Sequence, residues 1–180
     1  MINDVERILV DEKEIKEIVA RIGAQIKEDY KDSKKLVMVC ILKGSVVFFA
    51  DLIREIDLPM QIEFMRASSY GSGTETSGVI NVSLDLPYED LSGYDIIVVE
   101  DIVDSGRTLK HLMNYLSLRN ANSVKLCALL DKPDRRQVEI KVDYEGKKIP
   151  DEFVIGYGLD YDEKYRNLPY VGILKREIYE

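Results

Sequence analysis

Apolar positions recur along this chain with two periods, and each period predicts a kind of element. Ile15, Ile18, Val19, Ile22 and Ile26 fall on one face of a helix. Asp11 and Glu14 ahead of them have capping-box spacing, with aspartate in place of the usual serine or threonine. Residues 36–42 are an unbroken apolar run, which predicts a buried strand ending at Lys43-Gly44. Val46, Phe49, Ile53 and Ile56 predict a helix over 45–56, and the partial alternation of 60–67, with Ile62 and Phe64, predicts another strand. Residues 68–78 have almost nothing to bury and predict a mobile loop; a loop of that length inside a compact domain is often functional.

A strand pattern resumes over 79–84. A turn around Ser92-Gly93, a strand over 96–99, a helix over 108–118, a strand over 124–130 and short strands at 153–155 and 170–174 follow. Apolar strands alternating with helices predict an α/β domain on a largely parallel, twisted sheet flanked by helices. No repeat, low-complexity segment or linker breaks the pattern, so residues 1–180 are expected to form a single domain. Ligands of such sheets bind at the carboxyl ends of the strands. Polar clusters fall at three predicted strand ends, after Leu42, Val99 and Leu130.

Charge narrows the partners. Lysine and arginine number 25 against 33 acids, a net charge of −8, which repels a phosphate backbone and argues against nucleic acid. A small phosphorylated ligand needs only a few local donors. No window reaches the ~18 apolar residues of a membrane span, and the acid-bearing first ten residues do not read as a signal peptide. A cytoplasmic protein with no membrane partner is expected. Cys40 and Cys127 sit at the end of or inside apolar runs, and the chain is not cysteine-rich, so they read as buried thiols rather than a disulfide. With His111 the only histidine, a zinc site built on several histidines is ruled out, and no role falls to His111.

The richest segment is Ile96-Ile97-Val98-Val99-Glu100-Asp101-Ile102-Val103-Asp104-Ser105-Gly106-Arg107-Thr108-Leu109. Two unpaired charges are costly to bury, so Glu100 and Asp101 are expected to emerge at the strand end. There they meet solvent, a metal or ligand hydroxyls. Gly106 permits an unusual turn, Ser105 and Thr108 carry hydroxyls, and the amides of a helix start make a phosphate cradle. The plainer reading has Asp104 cap the helix and both acids line a solvated edge. That reading gives no account of Ile102 and Val103 between the acids and the Asp-Ser-Gly turn.

This segment resembles the phosphoribosyl-pyrophosphate (PRPP) motif of type I phosphoribosyltransferases, in its hypoxanthine-guanine version. Leu42-Lys43-Gly44-Ser45 resembles the family's pyrophosphate loop, and Arg66 with Ser69-Tyr70-Gly71 the start of its closing loop. Leu130-Asp131-Lys132-Pro133 resembles the purine-contacting segment, and residues 153–161 through 166–169 the hood. Five motifs in order, spanning roughly residues 5–175, make the likeness specific.

The resemblance implies the type I fold with a small hood. It also implies transfer of phosphoribosyl from PRPP to N9 of hypoxanthine or guanine, giving IMP or GMP and pyrophosphate. Magnesium is implied, with Glu100 and Asp101 at the ribose hydroxyls and metal and Asp160 at a second metal. Asp104 is implied as general base near purine N7, and Asp104, Ser105, Gly106, Arg107 and Thr108 as the 5′-phosphate loop. Lys43, Gly44 and Arg166 would contact pyrophosphate, with a cis Lys43–Gly44 peptide. Lys132, Phe153, Val154 and Asp160 would meet the purine, and Ser69 and Tyr70 would close over the site. A homodimer or homotetramer is implied. Two rivals remain at this point: a xanthine-preferring relative, and a PRPP-sensing regulator that binds RNA or DNA. A P-loop hydrolase is set aside, because no G-x-x-x-x-G-K-[ST] sequence is present.

Overall fold

The computed structural model describes residues 1–69 and 80–180, with backbone only at 68, 69 and 80. In chain order the elements are β1 (Val5–Val10), α1 (Glu12–Asp29), β2 (Leu36–Ile41), α2 (Val46–Glu55), β3 (Gln61–Ser69), β4 (Ile80–Leu84) and β5 (Asp95–Val103). They continue with α3 (Arg107–Ser117), β6 (Ser123–Asp131), β7 (Tyr144–Lys148), β8 (Val154–Ile155), β9 (Val171–Leu174) and α4 (Arg176–Tyr179).

Six strands form one sheet in the order β4-β3-β2-β5-β6-β7. All its pairs are parallel except β3 with β4. The continuous apolar runs of β2, β5 and β6 follow from this, because a parallel strand buries both faces. Met38, Cys40, Ile97, Val99, Cys127 and Leu129 face the core layer under α1 and α2. Val37, Val39, Ile96, Val98, Leu126 and Ala128 face the layer under α3. Both cysteines are free and fully buried. Burial, reinforced by the charges of Glu100 and Asp101, pushes the Cys40 thiol up to about 11, and burial raises Cys127 as well. Neither is poised as a nucleophile.

Helix α1 starts where the spacing put it. Asp11 Oδ1 accepts from the Glu14 amide at 2.8 Å, while the Glu14 carboxylate turns to Lys147 Nζ at 2.5 Å instead of closing the box. Its buried face is Ile15, Ile18, Val19, Ile22, Gly23 and Ile26. Helix α2 buries Phe48, Phe49 and Leu52, whereas Val46 is exposed. The consecutive apolar residues at its start offer two overlapping stripes, and the one over β2 is the one buried. Strand β3 turns Met65 into the layer under α3, while Ile62 and Phe64 share the face of their partners Met38 and Cys40; Phe64 meets Phe49 with centroids 6.0 Å apart, yet both stay partly exposed.

Strand β3 runs to Ser69, two residues into the expected loop; Tyr70 lies outside the described residues. Two strands had no sequence signal. Strand β7 has only Tyr144 buried, followed by Glu145, Gly146, Lys147 and Lys148, and β1 buries only Val10. Strand β1 pairs antiparallel with β9, which pairs with β8, and this three-stranded unit is the hood. Among the described residues no helix is long and apolar enough to cross a membrane.

Candidate active site

The three polar clusters hang from adjacent strands, since β2, β5 and β6 are neighbours. Strand β5 is longer than expected and carries Glu100 and Asp101 inside it, because its ladder with β6 continues through Glu100↔Ala128 to Val103↔Asp131. Its ladder with β2 stops at Cys40↔Val99. The two acids are therefore paired on one side only. On the other side the β2 strand has given way to Lys43-Gly44, and a Cβ at Gly44 would land inside the Asp101 carboxylate.

Glu100 and Asp101 are half-buried. Burial, and the neighbouring charge of Asp101, push the Glu100 carboxyl well above its ordinary range. Burial also raises Asp101, opposed by the amides of Ile102 and of Asp101 itself and by the charge of Arg166. The pair is short of positive charge. Among the described residues no three histidine, cysteine or acidic side chains converge on one point. A magnesium ion bound through one or two carboxylates, water and substrate oxygens suits this donor set; an all-protein cage is not what the residues offer.

The cradle follows. Gly106 takes a left-handed backbone, φ 78°, as the N-cap of α3, which favours glycine, and side chains crowd it as well. A Cβ there would stand 2.9 Å from Ile140 Cγ2 and 3.1 Å from Arg136 Nη1. The Arg107 amide donates to Ser105 Oγ at 3.4 Å. A 160 Å³ cleft is lined by Glu100, Asp104, Ser105, Gly106 and Thr108. Asp104 does not cap the helix: its Oδ1 accepts from Arg135 Nε at 3.1 Å. Larger hollows, of 230 and 290 Å³, lie along α1 and α2. The smaller cleft is the better candidate because its polar groups converge.

The segment after β6 docks onto the cradle. The Lys132 amide donates to Val103 O at 2.9 Å, and the Gln137 amide to Ser105 O at 3.0 Å. Lys132 is 9% exposed, and its Nζ donates to Glu152 O at 2.7 Å, just ahead of Phe153. Arg136 forms a buried ion pair with Asp131.

The hood supplies the rest. Phe153 stacks on Tyr179 with centroids 4.8 Å apart and meets Tyr161 edge-on at 5.5 Å. Val154 is buried in β8. Gly158, at φ 102°, packs so closely that a Cβ would strike the Gly44 carbonyl oxygen. Tyr157 beside it donates to Asp51 Oδ2 on α2 at 2.5 Å. Arg166 donates through Nη1 to Gly158 O at 2.8 Å and pairs through Nη2 with Asp160 Oδ1 at 2.9 Å. The cis peptide is Leu42–Lys43, one bond before the expected Lys43–Gly44.

Contacts thus tie Gly44 to Asp101, Lys43 to Arg166 through Glu163, Arg166 to Asp160, and Lys132 both to Val103 and to the carbonyl of Glu152 ahead of Phe153 and Val154. Tyr70 alone of the expected residues lies outside the described chain, and of Ser69 only the backbone is described. Two residues were missed by sequence reasoning. Arg135 partners Asp104 and reaches toward Asp151 at 3.7 Å. Glu163 takes Lys43 Nζ at 3.0 Å and Arg166 Nη2 at 3.3 Å, and Lys43 with Arg166 holds its carboxyl below the usual range. Surface charges with no motif around them carry no signal in one sequence.

Comparison with known proteins agrees with this geometry. A family model described as the phosphoribosyl transferase domain matches residues 7–162. A hypoxanthine-guanine phosphoribosyltransferase of Streptococcus pneumoniae is 50% identical over 177 residues, 98% of this chain and 97% of the relative. One from Dictyostelium discoideum is 53% identical over 176 residues, 96% of this chain and 97% of the relative. A crystal structure of a hypoxanthine phosphoribosyltransferase from Staphylococcus aureus superposes with a TM-score of 0.95 at 48% identity, covering 100% of this chain and 97% of that one. The chain belongs to the phosphoribosyl transferase family, within the group of hypoxanthine-guanine phosphoribosyltransferases.

Proposed function

We infer that this chain is a purine-salvage enzyme that transfers phosphoribosyl from PRPP to N9 of hypoxanthine and guanine, releasing pyrophosphate. The observation that carries the reading is the meeting of three adjacent strand ends, with Gly44 packed on Asp101 and Lys132 bonded to Val103. Each brings one kind of recognition to a common cleft.

The attacked anomeric carbon passes through an oxocarbenium-like state. The residues' task is to stabilise positive charge on the sugar and to hold pyrophosphate as it leaves. The amides and hydroxyls of 104–108 anchor the 5′-phosphate at the α3 start, where backbone N–H groups lack helical acceptors. Glu100 and Asp101 lie one step back along β5, at the height of the ribose hydroxyls. Lys43, the Gly44 backbone and Arg166 hold pyrophosphate. Magnesium, held by Glu100, Asp101 and Asp160 together with substrate oxygens, would neutralise charge gathering on the leaving group. Phe153 offers its ring to the purine, backed by Tyr179, while Val154 and Asp160 meet the purine edge and Lys132 donates to the oxygen at C6. Asp104 takes up the purine proton. Ser69 and Tyr70 close over the bound substrates and exclude water.

Hypoxanthine, PRPP and magnesium incubated with the protein are expected to yield IMP, resolved by chromatography, and excess chelator to abolish the product. No IMP, or a strong preference for xanthine, would overturn the assignment.

The enzyme works in the cytoplasm as a single-domain subunit of a dimer or tetramer. Support for assembly comes from exposed Val46, Ile62, Phe64 and Leu84, apolar side chains at the β3–β4 edge and the adjoining α2 start that a partner would cover. Sedimentation is expected to give at least twice the 20.6 kDa chain mass; a monomer at micromolar concentration would remove the proposal.

A further inference from the structure

Glu163 touches both side chains assigned above to pyrophosphate. Lys43 Nζ and Arg166 Nη2 converge on the same oxygen, Oε2, at 3.0 and 3.3 Å. Two cations meeting on one anionic oxygen is how a phosphate oxygen is held. Arg166 is anchored independently of that contact, through Gly158 O and Asp160. Lys43 is anchored by its place beside Gly44, whose backbone is wedged between Asp101 and Gly158.

Glu163 is the loose member. Its side chain is 65% exposed, and it sits on two consecutive left-handed residues, Asp162 at φ 52° and Glu163 at φ 59°. Both φ values follow from the tight hairpin turn that Tyr161 and Lys164 close by bonding to each other's backbone. Exposed ion pairs contribute little to stability, so the fold does not explain why the loop brings this carboxylate here.

We propose that Glu163 is a built-in placeholder for pyrophosphate: its carboxylate occupies the anion position between Lys43 and Arg166 and is displaced when PRPP binds. The proposal deepens the reading above and rests on Lys43 and Arg166 being the pyrophosphate contacts. Displacement is favourable because a diphosphate brings more charge and more acceptor oxygens than one carboxylate. The exchange still breaks two charge-assisted contacts at each binding event. Glu163 therefore acts through the two cations to set affinity, loosening both substrate PRPP and product pyrophosphate.

The test is steady-state kinetics of Glu163→Gln, with inorganic pyrophosphate as a competing ligand. The KM for PRPP and the inhibition constant for pyrophosphate are each expected to fall about 5-fold, with the KM for hypoxanthine unchanged. Glu163→Asp, which keeps the charge, returns both toward wild type. If Glu163→Gln leaves those constants unchanged or raises them, whatever it does to the melting temperature, the contact is a surface ion pair and the proposal fails. Lys43→Gln and Arg166→Gln test the layer beneath. If neither weakens PRPP, the pyrophosphate assignment falls too; if both weaken it while Glu163→Gln fails to tighten it, only the placeholder falls.

Discussion

Gly44→Ala is expected to cut turnover by about 10² while leaving the protein folded. The added methyl would lie inside the Asp101 carboxylate, and that carboxylate has little room to yield. Asp101 Oδ1 is held by the Ile102 amide at 2.7 Å, and its backbone belongs to a strand still paired with β6. The Gly44 backbone has no retreat either, because its carbonyl faces Gly158. Overpacking of this kind costs about 1–3 kcal/mol, which the buried sheet beneath can bear, so the damage falls on the site. Either the acid turns away from its place at the end of the β2 ladder or the Lys43-Gly44 loop lifts off it. Circular dichroism and single-turnover assays together separate loss of fold from loss of chemistry. A variant with turnover within threefold of wild type would show that Gly44 and Asp101 need not sit against each other.

Asp104→Asn is expected to lower turnover by about 10² as well, with binding of PRPP largely intact. Asparagine keeps the shape, and its oxygen can still accept from Arg135 Nε, so the 3.1 Å contact of the wild type is preserved. What it removes is the carboxylate's capacity to take up a proton, the role proposed for Asp104 at the purine. The phosphate cradle is made of neighbouring amides and hydroxyls and is untouched. Titration with PRPP alongside hypoxanthine turnover makes the distinction, and turnover equal to wild type would strip Asp104 of the role of base.

The order of the motifs along the chain was legible in the sequence, while the elements that frame them were legible only in part. Asp11, Ile15 and the stripe that follows specify α1 because spacing and cap agree. The runs of β2, β5 and β6 announce themselves because both faces are buried. Strand β1 was invisible for a physical reason: its partner β9 pairs Val5 with Leu174, and nothing local requires that association. The end of β5 was misread because charge was taken to end a strand, whereas only the β2 side of the ladder ends there. Ile62 and Phe64 alternate as a half-buried strand should and share the face of Met38 and Cys40, yet they keep exposed surface, which the alternation alone does not foretell. Motif residues survive such errors because their order along the chain carries them. Arg135 and Glu163 did not, since only the folded loops bring them to their partners.

The parallel neighbourhood of β2, β5 and β6 makes the sheet a ruler. Adjacent strands stand about 4.8 Å apart, so the loops that follow them are graduated in that unit, about 9.6 Å from first to third. A ligand spanning them must present its parts at matching intervals, which in the proposed reading are the base, the sugar and the diphosphate. The graduations are cut into an apolar core, and no surface substitution can move them. Variation in what this scaffold accepts is thereby confined to the side chains at each mark.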